Sequence, residues 1–444
     1  HRVNYQIFRY VDDFFVFYND DKTKKEILEI YQVLLKKFKM GLNDAKTIHY
    51  EKPLITEITI AKNKIVNLFN QEVKFKIIPD DEKENKEKFE VKKECNEKTE
   101  KKVKVSDIDI RCNANKLITE FKTIISTTGV AYKDVMNYTL VAVYKRLEIS
   151  IKKYKEHKKI LEKEKQENQL TTDEITMLSN QEKNFTKYIL ELLDFAFFLY
   201  NVSPRVNTTI KLVKISALIV DTYKKRYKYY IDKKEKKYKL IPQFEAINKE
   251  LVFKKISDEI TLVLDKSKIE EYIQIETLYL LITLKELGRD YRLTTEQLVK
   301  YLKLVELKNE EGKNYHDKRY VFLNDINYFV ITVLLFYFKD IQQYKGLQVC
   351  VKNAIRKKIR SIDKPDRAKY SEFVLLLFDL LACPYLKEHD NKFKKEILQL
   401  FGIPVNERNG FISFVENQKY WFTKWDKFSL IDELNTKSTS ESYS

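Results

Sequence analysis

The chain is short of the residues that interrupt regular structure. Seven glycines and seven prolines are spread over 444 residues, where about 7% and 5% are usual, so tight turns are few and long helices are expected. Cysteine is scarce as well. Cys95, Cys112, Cys350 and Cys383 have no C-x-x-C spacing and no histidine pair nearby, which argues against a disulfide framework or a zinc site. The most apolar stretch, Tyr328 to Phe338, is too short to span a bilayer, and no signal-peptide pattern occurs. A cytoplasmic protein without a membrane partner is expected.

What the chain has in excess is positive charge. Lysine and arginine number 83 against 66 aspartates and glutamates, a formal net charge of +17, which favours polyanionic partners such as nucleic acid. A lysine-rich composition from an A·T-rich genome, marked also by abundant Ile, Asn and Tyr, accounts for the same surplus, and both readings stand at this point. The length suits two or three domains with substantial cores.

The stretch that carries chemistry lies near the start. Val3 to Phe8 reads as one strand, Phe14 to Tyr18 as a second, and Asp12 and Asp13 sit at the tight turn between them. Adjacent carboxylates at a rigid hairpin tip suit Mg²⁺, which takes one or two protein carboxylates and keeps its other positions for water and substrate phosphates. Metals so held activate an attacking hydroxyl and steady the departing oxygen of a phosphoryl displacement. An amphipathic helix follows from about Lys22 to Met40, with Ile27, Ile30, Tyr31, Leu34 and Phe38 expected on its packing face. Then come Gly41-Leu42-Asn43-Asp44-Ala45-Lys46-Thr47 and two β-rich stretches, Leu54 to Ile60 and Lys64 to Phe69.

Tyr10-Val11-Asp12-Asp13 resembles the Y-x-D-D box of reverse transcriptases, and the order hairpin, helix, G-L-N-x-x-K-T, strand is similar to the second half of their palm. The resemblance implies roles. Asp12 would be the main metal ligand and Asp13 a supporting one, Tyr10 would flank the growing 3′ end, and Lys46 would stand near the triphosphate. Palms of this family bring a further Asp and the fingers from upstream of the box, so these 444 residues taken alone are expected to be catalytically incomplete. Asp20 and Asp21 do not substitute, since they lie roughly 20 Å from the tip at about 3.3 Å per residue.

Beyond the palm-like part, Pro79 to Asp107 holds ten acids and nine bases with little apolar periodicity, and reads as a linker or insert. From Ile108 the pattern is helical, with helices expected over Ala114 to Ser126, Asp134 to about Lys165, Asn184 to Tyr200, Val206 to Tyr230, Phe244 to Leu264, Lys268 to Leu287, Thr295 to Leu307, Asn324 to Phe338, Gly346 to Arg360, Tyr370 to Leu381, Asn391 to Phe401 and Phe411 to Trp421. Between Arg205 and Lys239 twelve bases face three acids, with five tyrosines interleaved. Arg205, Lys211, Lys214, Lys224, Lys225 and Arg226 are candidates for phosphate contacts, with aromatic faces for unpaired bases. A solvated helix face whose tyrosines point to the core explains the same pattern.

A palm fragment followed by a long helical region resembles the abortive-infection (Abi) reverse transcriptases of the AbiA and AbiK kind, which are bacterial anti-phage enzymes. The fold class implied is an α+β palm remnant followed by a large all-α, repeat-like region. Its domains would be 1–78, the C-terminal part of the palm; 79–107, the charged linker; 108–292, a helical domain in place of the thumb; 293–437, a C-terminal helical domain similar to HEPN domains; and 438–444, a disordered tail. The implied activity is Mg²⁺-dependent addition of dNTPs without a template, with a single-stranded DNA product and a homo-oligomeric assembly. HEPN ribonucleases carry an Arg followed by four to six residues and then a His, a spacing that none of the five histidines satisfies, so such a domain would lack nuclease activity. The alternative is a helical nucleic-acid-binding or interaction scaffold with a vestigial palm.

Overall fold

The computed structural model describes residues 4–10, 13–43, 47–49, 55–78, 107–167, 172–232, 237–267, 275–307, 319–339, 341–386, 391–418, 421–425 and 429–440. Asp12, Lys46 and the charged segment 79–106 lie outside them. The chain divides into two compact units, His1–Thr56 and Glu57–Ser444. Among the described residues the fold is mostly helical, with four two-stranded antiparallel sheets.

In the first unit, β1 (Tyr5–Tyr10) pairs with β2 (Asp13–Tyr18) in the expected hairpin, and α1 (Asp21–Lys37) follows. Asp20 caps α1, its carboxylate accepting from Thr23 N at 2.8 Å and from the Thr23 hydroxyl at 3.0 Å, which fixes where the helix begins. The helix covers one face of the hairpin: Ile27 is buried, Tyr31 meets Phe14 edge-on at 5.3 Å, and the Lys24 ammonium lies 5.8 Å over the Tyr18 ring. Ile30, Leu34 and Phe38, expected on the packing face, are exposed instead. Burial along the helix follows 27, 31 and 35, with Ile27 buried and Tyr31 and Leu35 half-buried, the i, i+4, i+8 row that points along a single side of the helix.

Where two β-rich stretches were expected over Leu54 to Ile60 and Lys64 to Phe69, residues from Glu57 onward form one helix, α2 (Glu57–Glu72), packed in the second unit. Its buried residues are Ala61, Ile65, Leu68 and Phe69, a helical i, i+4, i+7, i+8 spacing that overrides the strand preference of the β-branched residues between them. The unit boundary therefore falls at 56/57, ahead of the expected one at 78. Next, β3 (Lys74–Ile78) pairs with β4 (Asp107–Arg111). Then α3 (Ala114–Thr128) is capped by Asn113, and ends where Gly129 takes the left-handed conformation at φ 69°.

A long helical pair follows, α4 (Tyr132–Glu167) and α5 (Thr172–Val202), and between them and later helices lies α6 (Val206–Lys224). Eleven α6 residues are buried, from Thr208 to Tyr223, as expected for a helix that is apolar nearly all round. The helix stops at Lys224; Arg226–Asp232 (β5) turns back on Lys237–Pro242 (β6) as a hairpin where the sequence predicts continued helix. The expected all-α region thus contains sheet. The reason is local, because from Arg226 tyrosines and bases alternate with a period of two, which places opposite characters on opposite faces of a strand.

The remaining helices are α7 (Ala246–Lys266), α8 (Ile275–Leu278), α9 (Leu280–Leu287), α10 (Thr295–Tyr301), α11 (Tyr328–Phe338), α12 (Lys345–Arg360), α13 (Ser371–Ala382), α14 (Lys392–Leu400), α15 (Arg408–Glu416) and α16 (Leu430–Ser440). After α10 a short hairpin joins β7 (Leu304–Glu306) to β8 (Tyr320–Phe322), where a helix running to Leu307 was expected. The tail expected to be disordered from Ser438 continues α16 as far as Ser440. One apolar core runs from Ala61 to Trp425. It crosses the expected boundary at 292/293, where Leu293 N donates to the Tyr337 hydroxyl at 2.9 Å and the Tyr344 hydroxyl donates to Leu293 O at 2.6 Å. Among the described residues no helix is long and apolar enough to cross a membrane.

Candidate functional site

The hairpin's register aligns Tyr10 with Asp13 as its last pair, bracketing positions 11 and 12. Because successive strand residues alternate between faces, Tyr5, Ile7, Arg9, Phe14, Val16 and Tyr18 share the face met by α1. Gln6, Phe8, Tyr10, Asp13, Phe15 and Phe17 occupy the other. On that second face Phe8, Phe15 and Phe17 are 57%, 54% and 47% exposed, with Phe8 and Phe17 in an edge-on contact at 5.9 Å. Asp13 is exposed at the end of this aromatic face. An ionised carboxylate there stays solvated and keeps its oxygens accessible to a hard cation.

Asp20 is committed elsewhere, since the Thr23 backbone N–H, and next its hydroxyl, hold the Asp20 carboxyl below its usual range. Among the described residues no group of three His, Cys, Asp or Glu converges as a ready metal cage. Of the four candidate catalytic residues, then, Asp13 and the backbone of Tyr10 are adjacent across the hairpin, while Asp12 and Lys46 lie outside the described residues.

The six candidate nucleic-acid residues do not form one face. Arg205 starts α6, exposed, its backbone N donating to the Thr208 hydroxyl at 2.9 Å. Lys211 is half-buried farther along the helix, and Lys214 directs its ammonium 4.5 Å over the Tyr144 ring. Lys224 donates to the Glu286 carbonyl, and desolvation lowers its pKa. Lys225 pairs with Asp221 at 3.1 Å, and Arg226 opens β5, exposed. Tyr223, one of the interleaved tyrosines, is a core residue: it stacks on Phe244 at 4.2 Å and shares a hydrogen bond with the Thr186 hydroxyl at 3.0 Å. Burial raises its pKa.

One polar cluster escapes sequence reading. Glu182, 5% exposed, accepts from Lys158 at 2.7 Å, from Glu245 N at 2.6 Å and from the Asn248 side chain at 2.9 Å. It thereby closes the start of α7 from a different helix, at one wall of a cavity of about 390 Å³ that also includes His157, Phe244 and Pro242. Its partners lie 24, 63 and 66 residues away along the chain, so no local spacing announces them.

Among the described residues the cysteines supply no ready nucleophile. Burial pushes the thiols of Cys112, Cys350 and Cys383 up to about 12, which leaves about one in ten thousand ionised at pH 8. Iodoacetamide at that pH is expected to leave these three unmodified in the folded protein and to alkylate them after denaturation, as read by intact and peptide mass spectrometry. Native alkylation of any of the three at the rate of a free thiol would contradict their burial.

No family model, curated protein or solved structure matches the chain.

Proposed function

We propose that the protein is an anti-phage deoxynucleotide polymerase of the reverse-transcriptase type, adding dNTPs by Mg²⁺-dependent nucleotidyl transfer. The observation that supports this most is the antiparallel hairpin whose last pair joins Tyr10 to an exposed Asp13, backed on its other face by the following helix. The donor set fits the ion: carboxylate oxygens on Asp13, with Asp12 beside it in sequence, are the hard ligands Mg²⁺ takes in company with substrate phosphates. When bound, Mg²⁺ would supply charge neutralisation at the phosphoryl oxygens. In this reading Asp12 and Asp13 hold the ion, Tyr10 borders the primer end, and Lys46 neutralises the leaving group. The attacking hydroxyl oxygen bonds to the α-phosphorus, the α–β anhydride bond breaks, pyrophosphate departs and the hydroxyl proton passes to solvent.

A template-free reaction, a single-stranded DNA product, bacterial cytoplasmic location and homo-oligomeric assembly belong to the same proposal. They rest on the resemblance of the Y-x-D-D segment and the helical region to abortive-infection enzymes. A second reading, a helical nucleic-acid-binding scaffold with a vestigial palm, is favoured by α2, which stands where the resemblance implies a palm strand. Radiolabelled dNTP incorporation by the protein expressed from its own gene separates the two. Synthesis that needs Mg²⁺ and stops with EDTA is expected, and its absence in the presence of every dNTP and Mg²⁺ or Mn²⁺ would leave the scaffold.

A further inference from the structure

The cavity of about 390 Å³ beside Glu182 takes no part in the chemistry proposed above. It lies where α4, α5, the end of β6 and the start of α7 meet. At the roughly 30 Å³ that a water molecule occupies in the liquid, such a space takes about a dozen non-hydrogen atoms, and its size is that of a small-molecule site. Leu178, Ile241 and Pro242 give it an apolar lining, and Ile175, 50% exposed, stands at its mouth. Tyr154 and Phe244, both buried, form an aromatic wall with ring centroids 5.8 Å apart.

The polar groups of the lining differ in what holds them. Lys158 is engaged: its ammonium donates to Glu182 at 2.7 Å and to the Gln243 carbonyl, and it lies 4.8 Å over the Phe244 ring. Glu182 accepts two further bonds, from Glu245 N and the Asn248 side chain. These bonds fix the wall, because separating the pair would leave a buried charge without its partner. Glu245 is different. Its exposed carboxylate accepts from the Ser179 hydroxyl at 3.1 Å, and no lysine, arginine or histidine among the described residues pairs with it. The lining therefore sets two carboxylates against one lysine, in a chain whose net charge is +17.

We propose that the cavity binds an apolar amine, its hydrocarbon body between Leu178, Ile241 and the aromatic wall and its ammonium at the Glu245 carboxylate. An anion with the same body would bring a third negative charge beside Glu182 and Glu245. A neutral molecule would leave Glu245 with the Ser179 hydroxyl alone. Most of the affinity comes from the apolar walls. The pair at exposed Glu245 adds a selectivity of a few-fold, the usual worth of an ion pair open to solvent. Because the bonds of Glu182 already hold the walls, binding has little left to order. The proposal is independent of nucleotidyl transfer, since it involves none of Tyr10, Asp12, Asp13 and Lys46.

Three probes with one body test it on the full chain: 4-phenylbutylamine, 4-phenylbutan-1-ol and 4-phenylbutyrate. Titrations at pH 8, which keeps ordinary imidazoles neutral and the amine charged, are read by saturation-transfer NMR. The amine is expected to bind with a Kd of about 1 mM, the range for a ligand of this size. It should bind about 2- to 5-fold more tightly than the alcohol, and the butyrate should bind least. Glu245→Gln, which keeps an acceptor for Ser179, is expected to bring the amine to the alcohol's affinity and leave the alcohol unchanged. Leu178→Trp, which fills the cavity, is expected to abolish binding of all three. If that variant loses its far-UV spectrum, Ile175→Trp at the mouth takes its place. Absence of saturable amine binding would overturn the proposal. So would alcohol or butyrate bound as tightly as the amine, an unchanged amine affinity in Glu245→Gln, or unchanged binding in the filled variant.

Discussion

If the proposed activity is present in the protein expressed from its own gene, deoxynucleotide incorporation is expected to fall by about 10³-fold or more in Asp12→Asn and by a smaller factor in Asp13→Asn, with the wild-type far-UV spectrum and melting temperature kept by both. A loss of that size corresponds to about 4 kcal/mol of transition-state stabilisation, the scale on which a metal at a phosphoryl group acts. The larger effect is assigned to Asp12 because the resemblance makes it the main ligand. Stability is expected to hold because Asp13 is exposed. Relief of repulsion between neighbouring carboxylates acts in the stabilising direction. Steady-state incorporation with paired thermal melts is the measurement, and full activity in Asp12→Asn would remove the hairpin from the chemistry.

The second large effect is structural. Asp379 is fully buried on α13, and its carboxylate accepts four hydrogen bonds: from the Tyr328 hydroxyl, from Thr423 Oγ1 at 2.7 Å, from Thr423 N at 3.0 Å and from Phe422 N at 3.1 Å. It ties the segment after α15 to α11 and α13. Asp379→Ala strands four donors around a fully buried position, and a cost of about 3–5 kcal/mol is expected. The protein's two tryptophans sit in the tethered segment, with Trp421 stacked on Phe378 at 4.3 Å and Trp425 buried. Their fluorescence therefore reports this region. Urea titrations read by tryptophan fluorescence should show the variant's transition at clearly lower denaturant, ahead of the loss of helix seen by circular dichroism. Coincident, unshifted transitions would mean that Asp379 is not what holds the segment.

Two helices with a continuous apolar stripe were readable from the sequence to within a residue. Gly346 to Arg360 was expected and Lys345–Arg360 is found; Tyr370 to Leu381 was expected and Ser371–Ala382 is found. The hairpin at Arg226 was missed although its alternation is visible, because no glycine or proline marks the end of α6 and the helical pattern before it is strong. Helix α2 was misread for the opposite reason, its isoleucines drawing attention from the spacing of its buried residues. Of the candidate site, strand pairing around Tyr10 and Asp13 was legible because aromatic and β-branched residues flank it on both sides. Whether a helical lysine faces solvent, as at Lys211, Lys214 and Lys224, was not. That depends on which neighbours cover the helix, and those neighbours come from residues such as Tyr144 and Glu286, many positions away.

One of those neighbours comes late. Helix α16, from Leu430 to Ser440, packs on α6, and the Asn435 side chain near its centre accepts from the Tyr144 hydroxyl at 3.3 Å. About two hundred residues separate the end of α6 from the start of α16, so at roughly 5–20 residues per second a ribosome exposes the α6 side of the core for about 10–40 s before its last cover is made. During that interval the growing chain is a natural client for a holding chaperone, and a stop codon placed after Trp425 would make the interval permanent.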